Sequence, residues 1–218
     1  MLTVEVWSDV VCPWCYLGKR RWETALERFP HADRVTTVWR SFELRVDQPT
    51  VPGDTLRDMM RRDGHSQEEL DGIFRWIADL GEQEGIVLRP GEYRPVNSFD
   101  AHRLQHAAAA HGLLDAMQER LLRAYHSELA NIADHGVLRA LAVDAGLPAR
   151  TVEDVLSGDR YADEVRADEA RAREVRVTSV PSFVVDGREV VHGMADSDAI
   201  LAALHEEWKR HTATFGSR

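Results

Sequence analysis

At 218 residues, with 44% apolar and 29% charged side chains, the chain has an ordinary soluble make-up and suits one large domain or one domain carrying a big insertion. Its net charge of -10, from 27 basic and 37 acidic residues, repels nucleic acid and anionic membrane, so neither is expected as a partner. No apolar run nears the roughly 20 residues that span a bilayer. The start Met1-Leu2-Thr3-Val4-Glu5-Val6 lacks the basic end and apolar core of a secretory signal, and a cytoplasmic location is expected.

In chain order, Thr3 to Val11 is short and rich in Val and Trp, and reads as a strand of a buried sheet followed by a turn. From Pro13 to Phe29 the residues Leu17, Trp22, Leu26 and Phe29 fall near helical spacing. Pro13 suits a first helical turn, where a missing N–H costs nothing. Val35 to Leu44 alternates as a second strand. Strand, helix, strand implies a parallel pair with a right-handed crossover. The middle of the chain is helical in pattern, with helices expected near 54–63, 66–85, 98–111, 113–129, 134–145, 149–156 and 159–175. Val87 to Pro95 holds two prolines and a glycine and must be a loop. The alternating charges of 159–174 read as a solvated helix face, with Glu169 and Arg173 at a favourable offset.

After Val175 the strand signal returns. Ser182 to Val185, an Asp186-Gly187 turn and Arg188 to Val191 form a hairpin. Asp196 or Ser197 then caps a last helix reaching about Thr212. The order is α/β, a sheet unit split by an all-helical insertion. Of the tryptophans, Trp7, Trp22, Trp39, Trp76 and Trp208 read as core. Trp14 reads as partly exposed, while Tyr125 and His126 are candidates to line a cleft under the insertion. Met59 and Met60 fit core packing better than a cleft.

The chemistry centres on Cys12-Pro13-Trp14-Cys15, which holds both cysteines of the chain. A secreted disulfide scaffold would use more cysteines at wider spacing, so the pair suggests redox work or half of a metal site. A metal would need two further ligands, and no second C-x-x-C exists. His102 and His106 lie one helical turn apart but also fit a polar helix face, and no metal is assigned. Cys12 stands at a strand-to-helix junction, where unpaired N–H groups and the helix dipole favour a thiolate. Cys15 lies nearly one turn on and can reach it. Cys12 would attack a substrate disulfide and Cys15 would resolve the mixed disulfide, with Pro13 and Trp14 tuning the potential. Glu5 and Asp9 are candidate acids for proton transfer, each equally readable as a strand-end or turn carboxylate. A second signal is Ser179-Val180-Pro181-Ser182. It reads either as a plain loop-to-strand boundary or as a cis Val180–Pro181 bond offering a backbone edge to a substrate peptide or glutathione.

Three blocks resemble the FrnE-like branch of the DsbA superfamily: Asp9 to Arg20, Pro95 to Leu104, and Val180 to Gly187. The resemblance implies a thioredoxin fold over residues 1–48 and 176–218, interrupted by a helical insertion over 49–175. It also implies a cis proline at Pro181, with Asn97 near the active-site cleft and Val180 and Pro181 binding substrate. The family commonly has glycines near Arg176 and Ser179, which this chain lacks. Its sister branches, kappa-class glutathione transferases and 2-hydroxychromene-2-carboxylate isomerases, usually carry serine where Cys12 stands, so the cysteine pair argues for redox chemistry.

Three functions follow from these readings. The first is a thiol–disulfide oxidoreductase acting on protein thiols and disulfides or a small thiol. The second is a glutathione-dependent isomerase or transferase, and the third a non-catalytic partner-binding or chaperone-like module. No tightly bound cofactor is expected, and glutathione would serve as co-substrate. Analogy with relatives offers a homodimer.

Overall fold

The structure, a computed structural model, describes residues 1–215. The chain forms two compact units, Met1–Phe42 with Asp168–Arg218, and Glu43–Ala167. The expectation from the sequence set these divides at 48 and 176.

In the first unit β1 (Leu2–Ser8), α1 (Pro13–Arg28) and β2 (Val35–Ser41) follow one another, and the two strands pair in parallel from Leu2 opposite Val35 to Ser8 opposite Ser41. β3 (Ser182–Val185) joins β1 antiparallel on its other side, and β4 (Arg188–His192) closes the order β2-β1-β3-β4. Asp186 and Gly187 have φ of 50° and 72°. This left-handed pair matches the strand twist in a two-residue hairpin. The alternation of β1 sorts its side chains to two faces. Leu2, Val4 and Val6 pack with Trp22, Ala25 and Phe29 of α1 and with Ile200 and Leu204 of α9 (Ser197–Phe215). Each buried Val, Leu, Ile or Phe side chain there is worth about 1.5–3 kcal/mol. Asp196 Oδ1 caps α9 by accepting the Ala199 N–H at 2.8 Å.

The opposite face carries Trp7, packed with Val184, Val177 and Ala172 of α8 (Ala162–Glu174). The solvated face expected of α8 is present at Asp163, Glu164, Arg166, Arg173 and Glu174, which are exposed, and Asp168 departs from it. Val165, Asp168 and Ala172 form a buried stripe, and the carboxylate of Asp168 is matched by Arg40 Nη1 at 2.9 Å and the Ser41 N–H at 2.9 Å. Its carbonyl accepts the Trp7 indole N–H at 3.1 Å. Charge partners drawn from β2 allow an acid to sit on a buried face. Past α8, Arg176 adopts φ 62°. The Val177 N–H bonds Ala172 O at 2.8 Å and the Arg176 N–H bonds Arg173 O at 3.2 Å, the two bonds of a Schellman helix end.

The second unit holds α2 (Leu56–Arg62), α3 (Gln67–Gln83), α4 (Phe99–Ala110), α5 (Leu114–His126), α6 (His135–Asp144), α7 (Ala149–Leu156) and the first part of α8. A capping box of Ser66 and Glu69 starts α3. Its buried stripe is Leu70, Phe74, Ile77 and Gly81, and Trp76 lies off that stripe and is 48% exposed. Trp76 is therefore not a core residue, as the helical period itself requires. Arg103, buried in α4, donates to the carbonyls of Val155, Gly158 and Arg160 and pairs with Asp100 at 2.7 Å, which ties off the end of α7. Tyr125 and His126 are buried and pack with Tyr93. Met59 and Met60 are half-buried. Among the described residues no helix is long and apolar enough to cross a membrane.

Candidate active site

Strand β1 ends at Ser8, and the chain turns through Asp9, Val10 and Val11 into α1. Cys12 is the N-cap of α1, with extended backbone (φ -93°, ψ 115°), and Pro13 takes the first helical position. The Cys12 N–H donates to Asp9 O at 3.2 Å, and the Cys15 N–H donates to Cys12 O at 3.0 Å. These two bonds bring the thiols to one end of the helix, where N–H groups lack intrahelical partners and the dipole is positive.

Both cysteines are free thiols. Cys12 is 3% exposed and Cys15 1%, packed with Trp7, Val177, Val180 and Val184, with Trp14 half-buried against the same cluster. Pro13 is half-buried as well. The Cys12 thiol faces Val180 O at 3.7 Å. Burial pushes the Cys15 thiol well above the ordinary range, and a hydrogen bond and charge from the Cys12 sulfur act in the same sense. The Asp9 N–H, 3.4 Å from Cys15 Sγ, and the Ser8 hydroxyl pull the other way.

The Val180–Pro181 bond is cis. Pro181 is buried, and its ring lies against Gly18 of α1, where an added Cβ would stand 2.9 Å from Pro181 Cγ. Pro181 O accepts the Gly193 N–H at 2.8 Å. The buried guanidinium of Arg21 holds the carbonyls of Met194 and Ala195, at 3.0 and 3.4 Å. α1 therefore anchors both the Val180–Pro181 turn and the loop that follows β4.

The two candidate acids part ways here. Asp9 is fully buried in the turn that carries the dithiol, with its Oδ1 accepting the Val11 N–H at 3.4 Å. Glu5, in the middle of β1, has both carboxylate oxygens on arginines: Oε1 takes Arg40 at 2.7 Å and Oε2 takes Arg171 at 3.3 Å. Asn97 belongs to the second unit. Its Oδ1 accepts the Phe99 N–H at the start of α4 at 2.9 Å, and its amide donates to Glu43 and to Val46 O, each at 3.3 Å. His102 is buried in α4, and no group of three or more His, Cys, Asp or Glu that could hold a metal occurs among the described residues.

Reasoning from the sequence missed Gly18 and Arg21. Gly18 left a signal, because a lone glycine inside a helical pattern marks a close approach. Arg21 acts through a loop that no spacing rule reveals.

The DSBA-like thioredoxin domain is matched over residues 3–205. A crystal structure of a probable DsbA oxidoreductase from Streptomyces coelicolor is 36% identical, with a TM-score of 0.89, covering 96% of this chain and 91% of that one. The uncharacterised protein YwbO of Bacillus subtilis (strain 168) is 27% identical over 212 residues, 95% of this chain and 98% of its own length. The cytosolic disulfide reductase DsbM of Pseudomonas aeruginosa, solved with GSH, shares the fold at 20% identity and a TM-score of 0.60, with both chains covered in full.

Proposed function

The chain belongs to the DSBA-like thioredoxin domain family, and we propose that within it this protein is a thiol–disulfide oxidoreductase whose Cys12 attacks and whose Cys15 resolves. The family match and the 36% identical relative make it an enzyme of the oxidoreductase or isomerase kind. The observation that carries the finer reading is the asymmetry of the pair. Cys12 sits at the helix N-cap with its sulfur toward the Val180 carbonyl, while Cys15 is held behind it with its thiol pushed upward. A nucleophile at a helix N-terminus beside a protonated resolving thiol is the division of labour that disulfide exchange needs.

Cys12 attacks one sulfur of a substrate disulfide, a mixed disulfide forms, and the first thiolate leaves. Cys15 then attacks Cys12 Sγ and releases the second. In reverse, the oxidised pair takes two electrons from a substrate dithiol. The turn at Val180 and Pro181 offers substrate a backbone edge next to Cys12, and Pro13 and Trp14 set the potential. Of the two acids, Asp9 is the better proton carrier, since both oxygens of Glu5 are held by arginines. The partners are protein thiols or a small thiol, with glutathione as co-substrate. The resemblance of the three blocks around Cys12, Asn97 and Pro181 to the FrnE-like branch supports this reading.

Reduction of insulin disulfides with glutathione as reductant tests the reading. The expected result is turnover abolished in Cys12→Ser and stalled at a mixed disulfide in Cys15→Ser. Full activity of Cys12→Ser on a glutathione conjugate would select an isomerase or transferase instead.

A further inference from the structure

The sheet ends in two edge strands, β2 and β4, and they differ in how they are guarded. A sheet edge offers N–H and C=O groups to any second strand, and natural edges are blunted by charge, shortness, proline or a bulge. β4 has such devices. It is 5 residues long, Arg188, Glu189 and His192 are exposed, and its pairing with β3 slips between Phe183 and Val184. β2 runs regularly along β1 from Val35 to Ser41. Its one charged residue, Arg40, is turned to Glu5 and Asp168. Among the described residues no element but β1 packs along the length of β2, and none of Val35 to Arg40 is buried. The Phe42 N–H bonds Ser8 O, so even-numbered residues of β2 turn their backbone groups to β1 and odd-numbered ones turn theirs outward. At both ends of that outward edge the donors are taken. The Val35 N–H bonds Ala32 O, and the Ser41 N–H bonds Asp168 Oδ2 at 2.9 Å. Between them, the backbone N–H and C=O of Thr37 and Trp39 have no partner among the described residues.

We propose that the outer edge of β2 is an interface between two copies of this chain, the second copy adding its own β2 antiparallel across a two-fold axis at Val38. In that register Thr37 faces the partner's Trp39, and each such pair exchanges both backbone hydrogen bonds. A slide in either direction brings in Val35 or Ser41, whose donors are already taken, so the capped ends fix the register. Val38 meets the partner's Val38 and Thr36 the partner's Arg40, so no like charges oppose one another. Trp39 against the partner's Thr37 is an aromatic and β-branched pair of the kind that stabilises antiparallel strands. The occupant is a second copy because the segment complements itself, as a two-fold interface requires. The Val180 edge that faces Cys12 lies on the other side of β1, beyond β3, and stays open. Two four-stranded sheets thus join into one. The two-fold runs each β1 against the direction of the partner's, so the two dithiols stand at opposite ends of the joined sheet and work independently.

The full chain, weighed by light scattering after gel filtration over a wide concentration range, supplies the first test. The expected mass is twice 24.7 kDa when concentrated, falling toward 24.7 kDa on dilution. Val38→Lys sets two ammonium groups face to face and weakens association by at least about a hundredfold, with circular dichroism unchanged. Cross-linking reads the register without that variant. In Cys12→Ser/Cys15→Ser protein, Val38→Cys meets its own copy in a non-hydrogen-bonded pair, about 4.5 Å between Cα atoms and within disulfide range. Thr36 is exposed, but it faces the partner's Arg40 and so stands four positions, about 13 Å, from the partner's Thr36. Oxidised glutathione should therefore link Val38→Cys chains into a covalent dimer and leave Thr36→Cys chains single. Monomer at every concentration, a dimer that folded Val38→Lys protein still forms at wild-type strength, or equal cross-linking at both positions overturns the proposal.

Discussion

A Cβ placed on Gly18 would stand 2.9 Å from Cγ of Pro181 and 3.3 Å from its Cβ. Helix and turn meet at a separation only glycine permits, because the opposing atoms belong to a stiff ring. Alanine gains about 1 kcal/mol over glycine in a helix interior, but overpacking a filled site costs about 1–3 kcal/mol. Gly18→Ala should therefore lose up to about 2 kcal/mol in urea unfolding, and turnover should fall with it as the Pro181 turn shifts from Cys12. A variant that gained stability and kept its rate would show the two elements to be loosely coupled.

Arg176 gives the opposite case. It sits at φ 62° in the Schellman end of α8, exposed, at a position made for glycine. Arg176→Gly should raise stability by up to about 1 kcal/mol. A urea midpoint at or below wild type would contradict this.

Stability should also fall in alkali through Cys15. Burial first, then Cys12, holds the Cys15 thiol well above the ordinary range in the folded protein, while the unfolded chain ionises near about 8.5. The folded state keeps a proton that the unfolded state releases. Stability is thus fully present below about pH 8.5 and drains above it, by at most about 1.4 kcal/mol per unit, until the folded thiol ionises. Unfolding of the reduced protein from pH 7 to 10, compared with Cys15→Ala, isolates this slope; identical slopes would mean that Cys15 is not held protonated.

Asp168 joins α8 to β2 through Arg40 and the Ser41 N–H. Asp168→Ala strands the buried Ser41 N–H and removes one of the two carboxylates that hold Arg40, and should cost about 1–3 kcal/mol. A loss below 1 kcal/mol, read by urea unfolding, would mean that water replaces the carboxylate.

Arg21 bonds the carbonyls of Met194 and Ala195, in the loop after β4 that also bonds Pro181. Arg21→Ala should loosen that loop and raise KM for a protein disulfide about tenfold with kcat nearly unchanged, the split expected when uniform binding is lost. A fall in kcat with KM constant would instead place the effect on Cys12.

What the sequence disclosed follows from how local each signal is. The Val- and Trp-rich run of β1, the helical spacing of Leu17, Trp22 and Leu26, and the Asp186-Gly187 turn are read within ten residues, and β1, α1 and the hairpin stand where those patterns put them. The dithiol was equally legible, because three-residue spacing at a strand-to-helix junction is itself the geometry. Asp168 was not. The alternating signs of α8 hid one buried acid, and its partner Arg40 lies 128 residues away. Trp76 follows its helical phase outward and not its apolar type.

Cys12 and the Val180 carbonyl that faces its sulfur are 168 residues apart. At a synthesis rate of about 5–20 residues per second, the thiol pair leaves the ribosome roughly ten to thirty seconds before the segment that covers it. β3, which pairs with β1, arrives with that same segment. For that interval the nascent chain carries two uncovered thiols on an unfinished sheet, open to oxidants or to each other. The newborn protein is thus a client of its own chemistry before it can serve as catalyst, and a chain stalled short of Val180 would carry a dithiol with no fold to govern it.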